Sequence, residues 1–174
     1  MKNLRLFVCL AAAAAIYSPT ALAQKAVEVV TGKAFDSAVP KDFYLEGNAI
    51  PTQKRNASLI TTPKGARALF ALIDTTGYSA DIITKYIGSI ITEGDLSVCG
   101  HKITVGSYGF GWATPGTGVD GPGKLSIYNQ GGAPVADCAS KRDSAMKQPR
   151  PLQVVVATDG TARLYHGRQY VELR

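Results

Sequence analysis

Tyr108, Phe110 and Trp112 are spaced by two, so on a strand they share one face, while Ser107, Gly109 and Gly111 leave the other face bare. An aromatic ridge of this kind can stack on sugars, and glycines let a ligand approach the backbone closely. The plainer alternative is that the ridge packs into the core over a helix. Trp112, next to Ala113-Thr114-Pro115-Gly116, is the member expected nearest the surface. A second candidate is the loop Asp74-Thr75-Thr76-Gly77-Tyr78-Ser79, placed between a buried strand and the start of a helix. Backbone N–H groups point outward at such a junction and favour anions. Asp74 and Tyr78 therefore join the aromatic three as expected binding residues. The alternative is a connection whose polar side chains serve turn and cap hydrogen bonds.

Catalysis has thinner support. Asp74 and Ser79 could belong to a nucleophile system, but a serine needs a base within reach. The chain has His101 and His166, neither in a recognisable motif, and it has no G-x-S-x-G. Gly118 to Lys124 matches G-x-x-x-x-G-K by letter. Leu125 stands where a magnesium-binding Ser or Thr is needed, and a strand rather than a helix is expected to follow, so this is not a phosphate loop. Glycosidase chemistry needs two carboxyls at a defined separation, which spacing along the chain cannot establish. No catalytic residue, cofactor or metal site is expected.

The N-terminus decides where this chemistry would take place. Lys2 and Arg5 precede an apolar run from Leu6 to Ile16, and Ala21-Leu22-Ala23 reads as a cleavage site before Gln24. The run is shorter than the roughly 20 apolar residues of a membrane-spanning helix. Residues 1–23 are thus expected to be a cleaved signal peptide and residues 24–174 one exported domain, periplasmic or secreted. Lipidation at Cys9 is disfavoured, because Leu6, Phe7 and Val8 are too large for a lipobox. Asn56-Ala57-Ser58 is a glycosylation sequon, a pattern that chance often supplies.

Removing the leader leaves Cys99 and Cys138, an even count that reads as one disulfide in an exported chain. Chain entropy assigns such a link about 4 kcal/mol. There is no C-x-x-C, and a zinc site would need both histidines as well. Residues 24–174 carry 17 basic and 13 acidic side chains, too small an excess to indicate nucleic acid. The densest basic stretch is Lys141, Arg142, Lys147 and Arg150, either a solvated loop or a docking patch for an anionic partner.

The elements that must position these residues are mostly strands. Short strands are expected at Phe43–Glu46, Ala57–Thr61, Lys102–Phe110 and Lys124–Tyr128, and Ala66–Ile73 reads as a buried strand. Ser79 is a good N-cap, with Asp81 in the first turn. Ile82, Ile83, Tyr86, Ile87, Ile90 and Ile91 follow with helical spacing, which predicts one amphipathic helix over about 79–92. A strand over part of it is the main alternative, because isoleucine is a mediocre helix former. Seven glycines in residues 106–123 indicate a bulged strand or a loop, and residues 129–150 read as irregular. Leu152–Thr158, Asp159-Gly160 and Thr161–Tyr165 form a hairpin signal, extended by Arg168–Leu173 into a meander.

The expected fold is β-rich α+β, mainly antiparallel, with one principal amphipathic helix and a C-terminal β-meander. The expected role is a non-catalytic binding protein of the cell envelope, engaging a protein partner or a glycan. The alternative is a hydrolase of cell-wall or extracellular polymer. Neither nucleic acid nor a transmembrane segment in the mature chain is expected.

Overall fold

Glycine turns and runs of β-branched and aromatic residues divide the chain into short strands, as their propensities require. The computed structural model describes residues 26–114 and 121–174. The leader, Cys9 and the first three residues of the G-x-x-x-x-G-K match lie outside them. β1 (Glu28–Val30) leads into α1 (Gly32–Ala38), and the hairpin of β2 (Asp42–Leu45) and β3 (Asn48–Thr61) follows. Then come β4 (Arg67–Ile73), α2 (Ala80–Lys85), β5 (Gly88–Thr92), β6 (Leu96–Val98) and β7 (His101–Ile103). Next are β8 (Gly106–Ala113), β9 (Lys124–Asn129) and β10 (Pro134–Ala139). β10 runs through Ser140 into β11 (Lys141–Arg142), and β12 (Gln153–Val156), β13 (Ala162–His166) and β14 (Gln169–Leu173) complete the meander.

The strands form two antiparallel sheets. The first has the order β1-β3-β4-β5-β8-β9-β10, with β2 paired to β3; the second runs β12-β13-β14-β6-β7, with β11 paired to β14. Phe70, Ile90, Phe110, Leu125 and Ile127 from the first sheet meet Leu96, Val154, Leu164 and Val171 from the second in the main core. A smaller core lies on the other side of the first sheet, where Phe43, Leu45 and Ile50 of the β2–β3 hairpin pack with Ile82 and Tyr86. At one margin Val154 N donates to Ser58 Oγ at 3.1 Å, tying β12 to β3. At the other margin a single strand path changes sheets at Ser140, a corner device common in packed sheets.

The segment expected as one helix is split. Ser79 caps α2 by accepting from Ile82 N, and Asp81 sits in the first turn, but the helix stops after Lys85 with Tyr86 extended. Gly88–Thr92 is instead β5, paired with β4 on one side and β8 on the other. The isoleucines explain the split. Ile82 and Tyr86 are one helical turn apart and face the smaller core, while Ile90 is fully buried in the sheet, where a β-branched side chain costs less.

Further differences follow from register. β3 is much longer than Ala57–Thr61, because its first half pairs with β2 and its second half, beyond an irregularity between Gln53 and Ala57, pairs with β4. Residues 129–150, expected to be irregular, contain β10 and β11. The Asp159-Gly160 hairpin forms, with Gly160 at φ 78° and Ala157 N bonded to Thr161 O, so its loop is Thr158-Asp159-Gly160.

Candidate binding groove

The aromatic ridge faces inward. Tyr108, Phe110 and Trp112 are buried at 9%, 0% and 7% exposure, so none offers an open ring face for stacking. The bare glycine face is filled as well. A Cβ at Gly109 would lie 2.7 Å from the Tyr86 ring, and one at Gly111 would lie 2.3 Å from Lys85 O. The alternation in β8 thus places aromatics in the main core and lets α2 rest directly on the strand's other side. Trp112 also stacks near His166, with ring centroids 5.7 Å apart, and its buried Nε1 has no hydrogen-bond partner.

The second candidate loop is occupied by its own structure. Asp74 Oδ1 accepts from Thr76 N at 3.1 Å, and hydrogen bonds from Thr76 hold its carboxyl below the usual range. Tyr78 donates its hydroxyl to Ala49 O, fastening the loop to β3. His166 Nδ1 lies 2.7 Å from Pro151 O. Among the described residues, no hydrogen bond joins any two of Asp74, Ser79, His101 and His166.

The residues that do converge lie along β14. β11 pairs with β14 at Gln169 and Tyr170, and β6 pairs with it at Leu173. Between these contacts one edge of β14 opens into a groove of about 580 Å³. Strand alternation sorts the side chains. Gln169, Val171 and Leu173 are buried, whereas Tyr170, Glu172 and Arg174 turn to the outer face. Register then sets Lys141 opposite Tyr170 and Arg163 opposite Glu172.

Across the groove the β6–β7 hairpin contributes Ser97 and His101, and β10 contributes Asp137. The Cys99–Cys138 disulfide forms part of the wall, joining the hairpin turn to β10 with Cα atoms 6.3 Å apart. Cys99 N also donates to Glu172 O at 2.7 Å, so turn, bridge and groove floor are one connected unit. His101 does stand beside the disulfide at a strand start, as its place after Cys99-Gly100 implies.

Two cations share one carboxylate at the groove mouth. Glu172 lies 2.7 Å from Lys141 Nζ and 3.6 Å from the Arg174 guanidinium. The hydrogen bond from Lys141 holds the Glu172 carboxyl below its ordinary range and pushes the Lys141 ammonium up. Asp137 is engaged elsewhere. Ser126 and Lys124 bond to it and lower its pKa, with Lys124 Nζ at 2.9 Å. Arg163 lies over the Tyr170 ring at 4.9 Å from its centroid, and Tyr165 approaches the same ring at 5.2 Å. Arg163 has its own acidic neighbour in Asp159, 3.5 Å away.

A second hollow, about 930 Å³, lies among the β3–β4 turn, the β5–β6 link and the β12–β13 turn. Its acidic groups are engaged as those of the groove are, Asp95 with Lys102 and Asp159 with Thr161 N, but no aromatic ring among the described residues lines it. The smaller groove is the better candidate, because a ring, a hydroxyl, cations and carboxylates face one space. Sequence reasoning missed Tyr170, Glu172, Arg174 and Ser97. The strong hairpin signal carried the clue, since it fixes the parity that puts Arg163, Tyr170, Glu172 and Arg174 on one face.

No group of three or more His, Cys, Asp or Glu among the described residues is placed to hold a metal ion. No helix among them is long and apolar enough to cross a membrane. No family model, curated protein or solved structure matches this chain.

Proposed function

We propose that this chain is an exported binding domain of the cell envelope, periplasmic or secreted, which holds a glycan in the β14 groove and performs no catalysis on it. The observation that carries the reading is the convergence of Tyr170, Ser97, Lys141, Glu172 and Arg174 on one half-open space of about 580 Å³. That volume lies within the range of small-ligand sites, about 300–1,000 Å³. A protein partner of ordinary affinity would instead need roughly 800 Å² of surface on each side. Sugars present hydroxyls that both donate and accept, and a groove lined by ring, hydroxyl and paired charges meets those needs. Export is supported by the leader pattern together with a disulfide, which persists in oxidising compartments.

The test is chemical-shift mapping of the isotope-labelled mature protein against soluble cell-wall glycan fragments, with reducing ends assayed in the same tube. The expected result is perturbation concentrated at residues 97–101, 137–141 and 170–174 with no new reducing ends. Perturbation elsewhere, or none, removes the groove from the account. Release of reducing ends would establish the hydrolase reading instead.

A further inference from the structure

The distribution of charge along the chain is uneven. Residues 24–140 hold ten basic and ten acidic side chains, whereas residues 141–174 hold seven basic and three acidic. The whole net charge of the mature chain therefore arises in β11–β14 and their connections. On the outer face of β14, Glu172 cannot neutralise both Lys141 and Arg174, and Arg163, opposite it across the strand pair, adds to the positive charge around it while also meeting Asp159. Lys141 and Arg174 are 65% and 76% exposed, so both ammonium and guanidinium are open to a ligand. Tyr170 lines the same groove, with the Arg163 guanidinium over one face of its ring.

We infer that the groove selects an anionic glycan, one whose sugar ring lies along Tyr170 while its carboxylates meet Lys141 and Arg174. The inference rests on the groove reading and adds the ligand's charge. Glu172 is then the specificity element. It holds the two cations in place and competes with the ligand for them, so a weakly charged or neutral polymer gains nothing by displacing it. The wider positive field of residues 141–174 concentrates a polyanion at this face, an effect that salt screens.

Polygalacturonate and its fully methyl-esterified form separate charge from sugar shape. Both would be titrated into the mature protein by calorimetry at low and high salt. Polygalacturonate is expected to bind, and to weaken by about tenfold or more either on esterification or on raising salt to 0.5 M. Lys141→Gln and Arg174→Gln should each weaken it about fivefold, and Glu172→Gln should tighten it by removing the competing carboxylate. Lys54→Gln, an exposed cation on β3, should change nothing.

Equal binding of acid and ester, with Lys141→Gln and Arg174→Gln still weakening both, overturns the anionic inference and leaves the groove reading intact. Binding that ignores every groove variant overturns both. Anionic lipid vesicles or DNA that bind more tightly per charge than polygalacturonate would also overturn the inference, by making the recognised chemistry charge without sugar.

Discussion

The β2–β3 and β6–β7 hairpins turn by the same geometry and solve the same problem with different chemistry. Leu45 pairs with Asn48 around Glu46-Gly47, and Val98 pairs with His101 around Cys99-Gly100. All four turn residues have positive φ: 47° and 76° in the first, 44° and 86° in the second. This is the two-residue type I′ turn, whose first position favours Asn, Asp or Gly. Glu or Cys held there costs about 1–2 kcal/mol. In both turns the unfavourable residue is the one that reaches across to another element. Glu46 accepts from Lys85 Nζ at 2.8 Å and from the Tyr86 hydroxyl. Cys99 is bonded to Cys138. The lesson is that the turn residue is explained by what its side chain holds.

Both tethers also end near the β9–β10 hairpin. Glu46 N donates to Gln130 O at 2.8 Å, Lys85 Nζ donates to Gly132 O at 2.6 Å, and Cys138 lies in β10. The first tether is polar and surrounded by aromatics, with Lys85 Nζ 5.1 Å from the Tyr86 ring centroid and 4.8 Å from that of Tyr128. The second is covalent and lines the candidate groove. One should answer to pH and the other to reductant.

Removing the covalent tether should have the largest effect. Cys99→Ser with Cys138→Ser is expected to lose about 2–4 kcal/mol, read as a lower midpoint in denaturant. Cys99→Asn with Cys138→Ser keeps the turn comfortable and removes only the bridge. It should recover about 1 kcal/mol of that loss. If the two double variants are equally stable, the turn residue carries no strain and the comparison fails on its covalent side.

The polar tether should break with a smaller loss. Glu46→Ala leaves the buried Tyr86 hydroxyl without its acceptor and is expected to cost about 1–3 kcal/mol in thermal or chemical unfolding. Gly132→Ala attacks the same contact from the other side. Its Cβ would stand 2.0 Å from Glu46 Oε1 and 2.7 Å from Lys85 Nζ, at a φ of 84°. It should destabilise by about 1–3 kcal/mol, and combined with Glu46→Ala it should cost less than the sum. Full additivity would mean that the two residues do not act on one contact.

The sequence disclosed one tether and hid the other for a physical reason. Two cysteines in an exported chain can be paired by count alone. Glu46, Lys85 and Gly132 are ordinary residues far apart in the chain, and only the folding of α2 over β8 brings them together. Gly109 and Gly111 were legible as a bare face, but nothing local says whether a ligand or a helix fills it. The antiparallel meander at the C-terminus was readable from Asp159-Gly160 and the strands around it. The helix boundary at Lys85 was not, because isoleucines at helical spacing also suit a buried strand, and the choice depends on β4 and β8 as neighbours. The groove depends on β10 crossing between sheets at Ser140, a long-range event that leaves no periodic mark.

The smallest effect distinguishes the two tethers most directly. Lys85 and Tyr86 hydrogen bonds hold the Glu46 carboxyl below its ordinary 4.5, so it contributes stability above that pH and loses it as pH falls through the lowered folded value. At the other end, burial and the Glu46 bond push Tyr86 up to about 12. A raised pKa contributes stability below the unfolded value near 10 and loses it as pH rises through about 12. The disulfide has no such limbs. Denaturant midpoints of wild type and Glu46→Gln should therefore converge as pH drops below about 4, while the deficit of Cys99→Ser with Cys138→Ser stays constant over that interval. Other carboxylates with lowered pKa values, such as Glu93 and Glu172, contribute to every variant and cancel in the difference. A Glu46→Gln deficit that is flat from neutral pH to pH 3 would show that the carboxylate's charge plays no part in holding its turn.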